Sequence, residues 1–575
     1  MARVARIGMA MKSDRNVPEG GHVSRSLKAG FAALVLVLAA LVLAACGDED
    51  GGGGGGGEGR TGGIIRIAHS SFPDFLDPAL SYTVDGWQAL LQAYPGLLVF
   101  PHESGPEGAE PVPGLAEDMP EVSEDGRTYR LRLRENLRFS DGTPIRASDF
   151  KASIERILEM DSQGAGLGYT SIVGAEEFLE TKEGGVRGIR VNDDTREITI
   201  ELTEQRGPFT YELAIPFAGI VPQDTPAENQ TRNPPPGAGR YVIDNVRVNR
   251  SYRMRKNPNF SPGLEGTAID AGRADGFDVS VVRSVSNQVT QIANNDLDFM
   301  VDNPPADRVA ELRSRYEGER FRQFPTPSSF YFFMNTEAPP FDELEVRQAV
   351  NFAIDPDAIN RVQGGVIEET NETLPEAVPG YRDWPDLYPH NVNRARELIR
   401  EAGAEGEKVT VWGNPENPTR QTIEYYADVL NDIGLDAEVR IVSAETYFTT
   451  IGDRSSRVQT GWANWFQDYP HPANFIDVLV NPDRVVATGN NNYSYNADDR
   501  ELARKINDLA AEPELTDEVK DRWAEVDREI QQKAYWAVYG TRKQSTFMSE
   551  RMDFESCRGD EYAVGTHDWA QFCLK

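Results

Sequence analysis

An α/β protein of two or three domains is the fold class that the sequence predicts, and three observations carry that prediction. Setting aside a leader of 45 residues leaves 530 of the 575, more than one hydrophobic core usually supports. The early chain alternates with period two in Thr128-Tyr129-Arg130-Leu131-Arg132-Leu133-Arg134, as a strand with one buried face does. The later chain holds a strand, helix, strand unit: Val409-Thr410-Val411-Trp412, a helix near Gln421 to Ile433 ended by Gly434, and Glu438-Val439-Arg440-Ile441. Such a crossover implies parallel pairing.

The leader opens the chain. Arg25 and Lys28 flank the apolar run Ala29 to Ala45, whose 17 residues fall short of the roughly 20 needed to span a bilayer as a helix. Small residues close it at Leu43-Ala44-Ala45-Cys46, which reads as a lipoprotein signal with Cys46 as the lipidated residue. An uncleaved N-terminal anchor with an incidental cysteine is the alternative. Gly51 to Gly57 can form neither helix nor core, so residues 46–63 read as a tether. Coil statistics give it a reach of about 23 Å. Two acyl chains on Cys46 would hold the protein stably at a membrane.

The remaining elements follow in order. Ile64-Ile65-Arg66-Ile67-Ala68 is a first strand, and Ser71-Phe72-Pro73-Asp74-Phe75-Leu76-Asp77-Pro78 is a loop. Asp125-Gly126 makes a turn before the alternating strand, and a hairpin runs from Ile189 through Asn192-Asp193-Asp194-Thr195 to Leu202. The first part is therefore rich in antiparallel sheet. Ser148 is expected to cap a helix with Phe150, Ile154, Ile157 and Leu158 on one face. Pro234-Pro235-Pro236 excludes regular structure. Asp355-Pro356 opens another helix, and Asn393 to Ala402 forms one stopped by Gly403. Val458 to Phe466 is a strand.

Composition narrows the function. The formal charge is −33, and removing the leader's net +4 leaves −37, which argues against nucleic acid and against docking on anionic lipid. With Cys46 assigned to lipid, Cys557 and Cys573 remain and read as a disulfide in an oxidising compartment; two free buried thiols are the alternative. Six histidines and no zinc spacing leave no metal site expected, and no cofactor. No Walker loop, G-x-S-x-G or H-E-x-x-H occurs, and G-x-G-x-x-G falls only within the glycine-rich tether, with no strand before it. A secreted, lipid-anchored hydrolase using paired carboxylates stays as a minor alternative.

Five pieces then stand in order: Pro113-Gly114-Leu115-Ala116-Glu117, Val122-Ser123-Glu124-Asp125-Gly126, Leu131-Arg132-Leu133-Arg134, Phe139-Ser140-Asp141-Gly142-Thr143-Pro144 and Ala147-Ser148-Asp149-Phe150. Together they resemble the signature of the oligopeptide/dipeptide/nickel-type solute-binding proteins of ABC importers, the extracellular solute-binding protein family 5. Asn257-Pro258-Asn259-Phe260, Phe333-Met334-Asn335-Thr336 and Val346-Arg347-Gln348-Ala349 agree. Gly237-Ala238-Gly239-Arg240-Tyr241 departs from the usual Gly-Thr-Gly-Pro-Tyr, and the C-terminal cysteine pair is not general in the family.

The resemblance implies a bilobal periplasmic-binding-protein-like fold: two mixed-sheet α/β lobes joined by a hinge, with an extra antiparallel subdomain in the first. The first lobe would be 64–326 with 541–575, and the second 327–540. It implies a monomeric, non-catalytic receptor that delivers a peptide or other small solute to ABC permease and ATPase subunits. That receptor would be exported and anchored to the outer face of the cell membrane, or on the periplasmic side where an outer membrane exists. Oligosaccharide, chelated nickel and a peptide-sensing role are the alternatives.

In the family's peptide binders, the Asp of a Trp-x-x-Asp-Tyr motif grips the peptide amino terminus, and Asp468 in Trp465-Phe466-Gln467-Asp468-Tyr469 matches it. A buried ammonium needs an anionic partner. Trp462, Trp465 and Tyr469 could exclude water and offer faces to a cation, and Phe72 and Phe75 could line the cleft from the other lobe. His471 reads as a solvated loop histidine.

Overall fold

The computed structural model describes residues 61–575 except 104, 271 and 561–566. The leader, Cys46 and the tether up to residue 60 lie outside the described residues. Among those described, no helix is long and apolar enough to cross a membrane.

The strand Ile64–His69 finds its partners far along the chain. It pairs in parallel with Gly276–Val281 on one side and with Phe299–Met300 on the other. Ser251–Lys256 and Tyr241–Arg247 extend this five-stranded sheet as an antiparallel edge. A separate four-stranded antiparallel sheet holds Glu121–Val122, Thr128–Arg132, Glu197–Glu201 and Ile189–Asn192. Its alternation is as expected, with Tyr129 and Leu131 buried and Arg130 and Arg132 exposed.

The helix Ala147–Glu159 buries Phe150, Ile154, Ile157 and Leu158 completely, each contributing about 1.5–3 kcal/mol. Its cap differs from expectation. Arg146 is the N-cap residue, and its backbone N–H donates to Asp149 Oδ2 at 2.7 Å. Ser148 sits inside the first turn and donates to Asp193 instead, because the hairpin turn brings that carboxylate within 2.9 Å of its hydroxyl.

The second large sheet runs in the order Phe321–Pro325, Trp536–Phe547, Ser328–Met334, Thr460–Phe466, Lys408–Gly413, Asp436–Ile441, with Ile367–Glu368 beside Trp536–Phe547. Only Lys408–Gly413 pairs in parallel, with Asp436–Ile441 and Thr460–Phe466. Its remaining pairs are antiparallel, so in this sheet the parallel pairing includes the crossover that the sequence shows and one further neighbour, Thr460–Phe466.

Trp536–Phe547 ties the molecule together. Its first half pairs with Ser328–Met334 and its second half with Phe321–Pro325. The register shifts at Gly540, whose φ is 152° and whose added Cβ would stand 2.3 Å from Ile367 Cγ2. Thr326 and Pro327 link Phe321–Pro325 to Ser328–Met334. The cores separate accordingly, one built from Ile65 to Val301 plus Met548, Met552, Phe554, Trp569 and Phe572, another from Phe330 to Tyr539. A smaller cluster joins Ala68, Phe321 and Phe547. Two α/β lobes result, and the chain's last residues belong to the first. There a disulfide joins Cys557 and Cys573 with Cα atoms 5.5 Å apart.

Candidate functional site

Asp468 lies two residues beyond the strand Thr460–Phe466, at its carboxyl end, where open α/β sheets tend to place ligands. A local network aims its carboxylate. Asn474 Nδ2 donates to Asp468 Oδ2 at 2.9 Å, while Asn474 Oδ1 accepts from the Asp468 N–H at 2.8 Å and from Trp465 Nε1 at 3.2 Å. The short turn Pro472–Asn474 holds Asn474, and His471 caps that turn by accepting the Ala473 N–H at Nδ1, 3.1 Å away.

The other lobe reaches the same carboxylate through Tyr82, whose nearby hydroxyl favours its charged form. Asp74 positions Tyr82 by accepting its N–H at 2.6 Å and the hydroxyls of Ser81 and Thr83 at 2.8 Å each. The loop around Phe72 and Phe75 thus contributes through its aspartate. Phe72 turns edge-on to Tyr252 at 6.0 Å, and Phe75 is half-buried.

Burial pushes the Asp468 carboxyl up to about 6, against the hydrogen bond from Asn474 and the nearby Tyr82 hydroxyl, and buried Glu212 adds to the rise. An anion held this way is costly without a cation beside it.

Each flanking aromatic has a partner of its own. Tyr469 is buried among first-lobe core residues and its hydroxyl donates to Glu212 Oε1 at 3.3 Å. Arg206 grips Glu212 through Nε at 3.0 and 2.9 Å and Nη2 at 2.5 Å. Gly168, at φ +87°, makes room for that carboxylate, since a Cβ there would lie 1.8 Å from Glu212 Oε2. Trp462 belongs to the second core and donates from Nε1 to the Tyr539 hydroxyl at 2.9 Å. Trp465 is half-buried and spends its indole N–H on Asn474.

His471 is not solvated as expected. It packs edge-on to Tyr211 at 5.1 Å and to Trp523 at 6.2 Å, and burial, aided by Arg206, pushes it down to about 3. It is a neutral acceptor in the interlobe contact.

Beside this network a cavity of about 620 Å³ opens between the lobes, walled by Tyr211, Thr326, Pro327, Val378, Tyr381 and Thr541. That volume falls within the range of small-ligand sites. Asp468 is not on its wall. The link runs through Tyr211, which faces Tyr469 at 6.4 Å, and through the Gln467 N–H, which donates to the Pro327 carbonyl at 3.0 Å. A second chamber of about 350 Å³ shares Glu369, Thr370 and Tyr381 with the first. Among the described residues only Asp553, Cys557 and Cys573 group like metal ligands, and the disulfide leaves no thiolates there.

Tyr82, Arg206, Tyr211, Glu212 and Asn474 are the participants that sequence reasoning missed. Tyr469 and Glu212 are 257 residues apart, so no local spacing marks them. Asn474 lies six residues beyond Asp468, outside the Trp465–Tyr469 motif, and only the turn at Pro472–Asn474 brings its amide back to the carboxylate.

Two α/β lobes sharing a crossing strand, with a cavity at the crossing, define the class of bilobal solute-binding proteins. The chain belongs to the bacterial extracellular solute-binding proteins of family 5, whose middle-region model matches residues 110–485. Among relatives, the probable D,D-dipeptide-binding periplasmic protein DdpA of Escherichia coli (strain K12) is 21% identical over 448 residues, covering 76% of this chain and 81% of that protein. Di/tripeptide-binding protein 1 of Pseudomonas aeruginosa (strain UCBPP-PA14) is 26% identical over 410 residues, covering 67% and 72%. The solved structure of clavulanic acid biosynthesis oligopeptide binding protein 2 superposes with a TM-score of 0.79 at 24% identity, covering 90% of this chain and 96% of that one. These relatives are binding proteins by name.

Proposed function

We propose that this protein is a non-catalytic, monomeric receptor of an ABC importer that captures short peptides between its lobes and delivers them to a membrane permease. The observation that carries the reading is Asp468, a carboxylate aimed by Asn474 at the boundary between lobes and raised to about 6 by burial. A peptide ammonium would supply that cation, displacing the Tyr82 hydroxyl. In this reading Trp465 and Tyr469 position the Asp468 loop, and the hinge lies at 326/327 and 540/541. Support also comes from the peptide-binding names of the relatives. The test is stabilisation of the purified protein by di- to hexapeptides, since a ligand bound only to the folded form raises the melting temperature. No shift with any peptide at about millimolar concentration defeats it.

We also propose that the leader through Ala45 is removed and that Cys46 carries the lipid. Cys46→Ala should release a soluble protein with unchanged peptide affinity and poor import. Loss of affinity would show that the anchor and the site are not independent.

A further inference from the structure

The 620 Å³ cavity between the lobes carries an unbalanced charge. Its acidic and basic wall residues are Glu110, Glu368, Glu369, Glu376 and Lys520. Two of them already have partners: Lys543 pairs with Glu368 at 2.5 Å, and Lys520 with Asp517 at 3.5 Å. Among the described residues, Glu110, Glu369 and Glu376 have no ion-pair partner. The chamber behind the shared Glu369 and Tyr381 wall adds Asp383 and Asp386 and neither lysine nor arginine.

The field is visible at two groups. The Glu369 carboxyl is pushed up by burial and then by Asp357, Asp386, Asp355 and Glu368. The Tyr381 phenol is pushed up to about 12 by burial, then by Asp383, Glu372, Glu376 and Asp527. Overall acidity accounts for acids being present on the wall. It does not decide what the cavity does with them: a concave surface of one sign concentrates cations and repels anions, and the Tyr381 ring offers a face to a cation.

We propose that this cavity selects peptides carrying positive charge beyond their own amino terminus, with Glu369 and Glu376 facing a lysine or arginine side chain. The proposal rests on the peptide reading above and deepens it. The tripeptides Ala-Lys-Ala, Ala-Ala-Ala and Ala-Glu-Ala separate the two, measured by calorimetry at low ionic strength and again near about 0.5 M salt, where charge effects are screened.

Affinity should fall in that order, by about tenfold between the lysine and glutamate peptides at low salt, and the gap should shrink at high salt. In the Glu369→Gln/Glu376→Gln variant the gap should narrow, with circular dichroism reporting an intact fold. Equal affinity for all three, a preference for the glutamate peptide, or a gap the variant does not change overturns the charge selection while leaving peptide capture standing. Failure of all three peptides to bind overturns peptide capture, and the selection falls with it.

Discussion

Asp468 is held in a state that costs the ligand-free protein stability. Its carboxyl sits near about 6 rather than 3.8, so the folded chain binds that proton more tightly than the unfolded chain does. The stabilisation this gives is complete below the ordinary carboxylate value and is lost as pH rises through about 6. Asp468→Asn should therefore be more stable than wild type when ligand-free at about pH 7.5, with the difference closing towards pH 4. It should also weaken binding of peptides with a free amine by about 2 kcal/mol or more, about 30-fold. Thermal denaturation across pH reads the first effect and calorimetry the second. A variant less stable at neutral pH, or with unchanged affinity, would overturn this account of the residue.

Asp468 was legible from its motif, whereas Tyr82 and Glu212 were not. The motif is contiguous and its chemistry local. Tyr82 and Glu212 lie in the other lobe and meet the motif only because the lobes close on each other, a fact carried by the fold. Tyr469 shows the same limit from the opposite direction, because alternation and aromatic character cannot tell a cleft wall from a plug seated in another lobe's core.

Among elements, the helix Asp517–Lys533 carries a second buried acid against the loop around Glu372. Asp527 accepts the Thr373 and Leu374 N–H groups at 3.1 and 3.4 Å. Burial, then Asp527, pushes Glu372 up to about 8, and burial pushes Asp527 up to about 6. Both pKa values are raised, so the stability they give is complete below about 4 and is lost as pH rises through 6 to 8. Glu372→Gln should flatten the fall between pH 6 and about 8 in urea-unfolding midpoints; a variant with the wild-type slope would assign that fall elsewhere.

Gly540 is the backbone counterpart. Its φ of 152° and the 2.3 Å approach to Ile367 Cγ2 mean that Gly540→Ala should cost about 1–3 kcal/mol, measured by the same unfolding experiment. A loss under about 0.5 kcal/mol, the scatter of an ordinary surface change, would show that the crossing strand can relax. Helices with clear stripes and glycine stops, such as Val392–Glu401 before Gly403, were legible because stripe and stop are local. The cap at Arg146 was not, because Ser148 has a competing partner from a distant hairpin.

At the scale of the whole molecule, the disulfide fixes the returning tail against the first lobe. Trp569 packs there against Phe277 at 5.6 Å, and Phe572 lies 4.8 Å from Phe299. Closing a loop of this size contributes about 3 kcal/mol on the chain-entropy model. Cys557→Ser/Cys573→Ser should lower the unfolding free energy by about that much, without changing the second lobe's core. Unchanged stability would mean that the tail's packing alone suffices. The two-lobe division was legible from the family signature, but the sharing of Trp536–Phe547 between both halves was not, since a strand's partners are set by topology.

That sharing also governs timing. The second core needs Trp536 to Tyr539, and the first needs Trp569 and Phe572, so a ribosome reading from the amino end finishes neither until almost the whole chain has emerged. A protein built this way remains short of its stable form through most of its synthesis, which suits the exported receptor proposed above.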